Sequence, residues 1–209
     1  MTQPPAFSRR LAPLALSAAL VEELARAYGD PPRAYHHLGH VDEVVGWYDW
    51  VDARAPWARP REVFTAVLFH DAVYVPGAAD NEARSAALAA RSIATHDELA
   101  GVDAARVQEL IGWTARHGQL AVADVDAEAA RFLDCDLAIL GAPQERYRSY
   151  REEIAREYAA LPAQAYRAGR RRFVQALRAR PRLFLSELFH AELDAAARAN
   201  LAQEDAELA

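Results

Sequence analysis

Pro60-Arg61-Glu62-Val63-Phe64-Thr65-Ala66-Val67-Leu68-Phe69-His70-Asp71 is the stretch that decides the fold. A proline suits a first helical turn, where its missing N–H costs nothing. The apolar run behind it predicts a helix over about 60–74. On that helix His70 shares a face with Val63, Ala66, Val67 and Tyr74, and Asp71 shares one with Phe64, Val67 and Leu68. Both faces are apolar, so both side chains should point inward. A buried His-Asp pair is costly without a partner, and a metal ion is the commonest economical one. Composition alone warns against reading the dipeptide by itself. Seven His and fourteen Asp in the chain make about half a His-Asp pair expected by chance. A second pair does occur, His96-Asp97, but it sits between polar residues just before Gly101. That one reads as a solvated helix end with no role.

Working outward, nearly every segment reads as helix: about 13–28, 37–53, 60–74, 81–99, 103–117, 125–140, 143–160, 163–179 and 184–208. The breaks carry helix-stopping residues: Gly29-Asp30-Pro31-Pro32, Pro56, Pro76-Gly77, Gly101, Gly118, Gly141-Ala142-Pro143, Pro162 and Pro181. No segment alternates with a strand's period of two, and Val122 to Val125 is too short to count. The joints are short and none resembles an interdomain linker. The expectation is an all-α chain, one compact bundle-like domain over residues 1–209.

A chain of 209 residues can bury a substantial core. It is 52% hydrophobic and 26% charged, an ordinary globular balance. Alanine and arginine are abundant and lysine is absent, which we read as genomic base bias. The net charge of −6 argues against nucleic-acid binding. The arginine-rich stretch from Arg167 to Arg182 is the one feature in its favour, and Glu152-Glu153-Glu157 offset it. A single cysteine, Cys135, excludes an intramolecular disulfide and a cysteine-rich zinc site, and a reducing cytoplasm is the natural compartment. No run reaches the length of a membrane span. Arg9-Arg10 before Leu11–Val21 raises a twin-arginine signal as an alternative. Glu22 and Glu23 intrude on it, and Leu14, Ala18, Val21, Ala25 and Tyr28 keep a helical spacing that Pro13 would open.

Two further positions match the first pair. Asp136 lies in Phe132-Leu133-Asp134-Cys135-Asp136-Leu137-Ala138-Ile139-Leu140, with Phe132, Leu133, Ile139 and Leu140 as its i−4, i−3, i+3 and i+4 neighbours. A carboxylate centred on an apolar face needs a cation or several donors, and a buried arginine would serve as well as a metal. Asp134 is about 200° around the helix from Asp136 and faces elsewhere. Upstream, Arg33-Ala34-Tyr35-His36-His37-Leu38-Gly39-His40 sets His36 and His40 at i, i+4.

The order His40 … His70-Asp71 … Asp136 on an all-helical background resembles the HD superfamily of metal-dependent phosphohydrolases. The resemblance runs on through Tyr35-His36-x-x-x-His40, Phe69-His70-Asp71-x-x-Tyr74, Asp80-Asn81-Glu82-x-x-Ser85 and Phe132-Leu133-Asp134-x-Asp136-Leu137-x-Ile139-Leu140-Gly141. Tyr166-x-x-Gly169-Arg170 and Ala197-Arg198-x-Asn200-Leu201 extend it. These blocks look like one uncharacterised bacterial branch and span almost the whole chain. His37 departs from the pattern, where asparagine is expected; it could tune the site or add a ligand. The resemblance implies His40, His70, Asp71 and Asp136 as ligands of a divalent metal. Two imidazoles and two carboxylates suit Mn, Fe, Co, Ni or Zn more than Ca, and Mg stays open. Such a site would activate water against a phosphate ester of a nucleotide-like or other small metabolite, with Asp71 in the catalytic centre.

Supporting groups follow. His117, at the end of the helix from Val107, would serve a second ion or a phosphate, or else pair with the helix C-terminal dipole. Glu82 or Asp80 would act as general acid/base, or else cap and charge a helix start. Arg33 and Arg170 would contact phosphate. Arg171, Arg172 and Arg178 read as solvated, and Cys135 as a packing residue. The competing reading is a non-catalytic metal or metabolite sensor on the same helices. The partner class is a small phosphoester; no membrane is implied, and a homo-oligomer is compatible with the sequence.

Overall fold

Helices carry the chain throughout. The computed structural model describes residues 5–29 and 33–209, so part of the expected break at Asp30-Pro31-Pro32 lies outside the described residues. The helices are α1 (Ala18–Ala27), α2 (Leu38–Asp52), α3 (Pro60–Phe69), α4 (Asn81–Thr95), α5 (Ala104–Thr114), α6 (Ala127–Leu137), α7 (Gln144–Glu157), α8 (Ala163–Arg178) and α9 (Glu187–Leu208), joined by short 3-10 turns. No strand occurs among the described residues, so the fold is all-α. The chain divides into two compact units, Met1–His117 and Gly118–Ala209.

In the first unit α3 packs against α2, α4 and α5. Every residue from Val63 to Phe69 is buried. A helix apolar on all sides belongs inside, and each large side chain there contributes about 1.5–3 kcal/mol on burial. The first helix starts later than Pro13 suggests. Ser17 takes an extended conformation and its hydroxyl accepts the Leu20 N–H, a local N-cap that fixes the start. The preceding segment folds back on α2: the Asp42 carboxylate accepts the Ala6 and Phe7 N–H groups, Phe7 is buried, and Arg10 pairs with Asp49.

His96 is better anchored than its polar surroundings suggest. Its Nε2 lies 2.7 Å from Glu23 of α1, and the Ser92 hydroxyl donates to the same carboxylate. The Glu98 carboxyl, held below its ordinary value, is pushed up by burial but pulled further down by Ser17.

The second unit is built around α9, which packs on α8, on α6 and on the turn Ala138–Gly141. Asn200 donates to the carbonyls of Leu140 and Ala142. Gly141 allows this approach, because a Cβ there would sit 2.7 Å from the Leu193 Cβ. Asp134 is buried and accepts from Leu185 N, Ser186 N and the Ser186 hydroxyl at 2.8, 2.7 and 2.6 Å. Burial pushes its carboxyl up to about 6, against the pull of those bonds. Cys135 is buried, and burial drives its thiol well up, as a packing residue requires. Among the described residues, no helix is long and apolar enough to cross a membrane.

Candidate metal centre

The end of α3 shapes the site. A helix leaves its last carbonyls without partners in the helix, and buried ones must find donors elsewhere. Here most of them do. The Ala66 carbonyl takes the His70 N–H, that of Leu68 takes the Tyr28 hydroxyl, and that of Phe69 takes the Ala72 N–H. Those of Asp71 and Ala72 take the Arg33 guanidinium. Beyond them the Ser85 hydroxyl bonds both N–H and carbonyl of Val73, and the Asn81 amide does the same for Val75. This is why the helix stops at Phe69 rather than running on to Tyr74: side chains replace the next turn.

That ending sets His70 and Asp71 facing inward. His70 is 1% exposed and the Asp71 side chain 17%. The His70 Nδ1 lies 2.9 Å from the Val67 carbonyl. A carbonyl only accepts, so Nδ1 carries the proton and Nε2 offers its lone pair. His40, buried on the first turn of α2, brings its Nε2 to 3.1 Å from the His70 Nε2. The Asp71 Oδ2 lies 3.2 Å from His70 Nε2 and 3.6 Å from His40 Nε2. Tyr35 backs the His40 ring at 4.6 Å between centroids, and His36 stacks on Tyr74 at 3.9 Å.

Within the first unit, one ligand atom from each of His40, His70 and Asp71 closes a triangle that can hold a metal ion; Asp136 belongs to the second unit. The spacing of the three fits one. Donors about 2.1 Å from an ion lie about 3.0 Å apart on neighbouring octahedral positions and about 3.4 Å apart in a tetrahedron. The observed edges of 3.1, 3.2 and 3.6 Å have that size. A shared proton satisfies one edge of such a triangle, whereas a cation satisfies all three. The two histidines are buried and the Asp71 carboxylate is half-buried, so the triangle meets solvent on its acidic side.

The remaining sequence candidates are placed as follows. Glu82 is half-buried in the first turn of α4, and Asp80 is exposed at its N-cap, 3.9 Å from Arg84. His117 is half-buried in a 3-10 turn after α5, three residues past the helix end. Arg33 donates to the carbonyls of His36, Asp71 and Ala72. Arg170 is buried as its helical face suggests; it donates to the Glu204 carboxylate through two nitrogens and to the Tyr150 hydroxyl through a third. Glu204 also accepts the Tyr147 hydroxyl, and burial beside this carboxylate pushes the Tyr147 phenol up. His37 caps α2, its Nδ1 accepting the Gly39 N–H at 2.8 Å.

Four residues that hold the architecture carry little sequence signal of their roles. Asn81 and Ser85 lie in a block whose acids stand out, yet they are the buried members that build the loop after Asp71. Asp134 and Asn200 act on main chain more than fifty residues away, which no local pattern shows. Compared with protein-family models, with characterised proteins and with solved structures, the chain matches none.

Proposed function

We propose that this protein is a metal-dependent phosphohydrolase with an HD-like helical domain, acting on a phosphate ester of a nucleotide-like or other small metabolite. The observation that carries the reading is the His40–His70–Asp71 triangle of the first unit, with edges of 3.1 to 3.6 Å; Asp136 is the fourth donor that the proposal adds. The all-helical fold is compatible with it.

His40 and His70 present neutral imidazole donors, and Asp71 and Asp136 neutralise the charge of a 2+ ion. When bound, a divalent cation supplies Lewis acidity, which makes water nucleophilic near neutral pH and draws charge from a phosphoryl oxygen. Val67 holds the His70 ring in its tautomer through its carbonyl, the partner that such histidines commonly have. Buried rings of His40, His70 and Tyr35 exclude bulk water from one side, and the half-buried Asp71 carboxylate leaves the other open to substrate. Glu82 handles the proton that reaches the leaving oxygen.

A panel of phosphoesters with Mn, Co, Ni, Zn and Mg tests the reading, run on wild type and Asp71→Ala. Turnover that needs the added metal and is lost in Asp71→Ala supports it. Asp71→Ala working at the wild-type rate with full metal content overturns it. Tight metal binding with no turnover across the panel favours the sensor.

A further inference from the structure

Resting on that reading of the site, we infer that Arg33 is a positioning residue of the metal centre, the clamp that fixes one ligand-bearing segment against the other. Its Nη1 donates to the His36 carbonyl at 3.2 Å and to the Asp71 carbonyl at 2.9 Å, and its Nη2 to the Ala72 carbonyl at 3.0 Å. His36 stands four residues before His40, just ahead of the cap of α2, and Asp71 is itself a proposed ligand. One planar, permanently charged group therefore ties both halves of the triangle at the main chain. The guanidinium that the sequence offers to a phosphate is turned to carbonyls.

The chemistry suits the task. Arginine's fork reaches several acceptors in fixed directions, which an ammonium does not. Its charge sits at the C-terminal end of α3, where the helix dipole favours a cation. The Tyr28 ring lies 5.2 Å beneath the guanidinium and donates its hydroxyl to the Leu68 carbonyl, so the clamp is held from below. The triangle tolerates little play, because a shift of a few tenths of an ångström in the Asp71 main chain alters both edges that its carboxylate makes. Partners one step removed from a metal typically set its affinity by about 10- to 100-fold.

Arg61 provides a matched control. It too spends its guanidinium on main chain, donating to the carbonyls of Glu98 and Ala100 at 2.9 and 3.0 Å. It stands at the other end of α3, about 13 Å along the axis from His70. Substituting either arginine removes carbonyl bonds of similar kind, but only Arg33 bonds the ligand-bearing segments.

The test is calorimetric titration of the metal-free full chain with Mn2+, for wild type, Arg33→Met, Arg33→Lys and Arg61→Met, with a melting curve for each. The Co2+ visible spectrum gives a second readout. Arg33→Met is expected to bind Mn2+ about 10-fold or more weakly at unchanged stoichiometry and to alter the Co2+ bands. Arg61→Met is expected to keep wild-type affinity and spectrum even where its melting point falls. Arg33→Lys should weaken binding less than Arg33→Met, and it carries the test if Arg33→Met does not fold. Wild-type affinity and spectrum in Arg33→Met, or in Arg33→Lys where that variant stands in, overturn the inference, as does an equal loss in Arg61→Met. Failure of wild type to bind Mn2+ or Co2+ overturns the site reading itself, and the inference with it.

Discussion

The Nδ1–H of His70 donates to the carbonyl of Val67, one turn earlier in the chain, at 2.9 Å. His37 is set the opposite way, with Nδ1 accepting the Gly39 N–H at 2.8 Å. In their neutral forms the two imidazoles are therefore opposite tautomers: His70 carries its proton on Nδ1 and His37 on Nε2. Long-range 15N–1H correlation spectra of the metal-free protein distinguish them. A His70 ring protonated on Nε2 alone would remove the lone pair on which the metal reading depends.

His37 acts at a helix start. Asparagine is an equally good N-cap, so His37→Asn should leave both melting temperature and Mn2+ affinity near wild type. His37→Ala should cost about 1 kcal/mol by chemical denaturation. Loss of metal affinity in His37→Asn would show that the ring contributes more than a cap. Gly39 belongs to the same arrangement, since a Cβ there would come within 2.5 Å of the His37 ring.

Asp134 holds the start of α9 to α6. Asp134→Ala leaves the buried Leu185 N–H and the part-buried Ser186 N–H without their acceptor, at about 1–3 kcal/mol for the buried donor and less for the other. Ser186→Ala loses a hydroxyl bond and the cap on Phe189 N, about 1 kcal/mol. Urea denaturation should rank Asp134→Ala as clearly the more damaging; the reverse order would contradict the anchor.

How far the chain can be read from its sequence depends on how local the determining interaction is. Helix existence is legible throughout, because apolar spacing and proline or glycine breaks act within a few residues. Ends are less so: the apolar pattern carries α3 to Tyr74, and it stops at Phe69 because Arg33, Ser85 and Asn81 take over the main chain. The candidate ligands His70, Asp71 and Asp136 are legible because each is a costly residue on an apolar face; His40 is legible only through the family resemblance. The direction of Arg33 is not, since a guanidinium reads the same whether it meets phosphate or carbonyl. Nor are the partners of Arg170, because Glu204 lies thirty-four residues on.

Acid should weaken the second unit through Asp194. Burial raises its carboxyl pKa, but the Arg198 hydrogen bond, the Leu183 N–H and the Arg198 and His190 charges outweigh that and hold it below the ordinary 3.8. A depressed carboxyl pKa stabilises fully above the unfolded value, and that contribution is lost as pH falls through the folded one. The melting-point gap between wild type and Asp194→Asn should be widest near neutral pH and close as pH falls below about 4. A gap unchanged down to pH 2 would contradict the assignment.

The role proposed for Glu82, handling the proton of the leaving oxygen, should show in turnover alone. Glu82→Gln is expected to lower kcat by about 100-fold or more with Mn2+ affinity unchanged. An unchanged kcat would move that role to another residue.

The most direct test of the metal centre is a titration of metal-free protein with Mn2+, comparing wild type with His70→Ala and with the folded control Arg61→Met. Saturable binding to wild type and control is expected, and its loss in His70→Ala. Wild type that takes up no divalent ion, or His70→Ala that binds with the same stoichiometry and affinity, would contradict it.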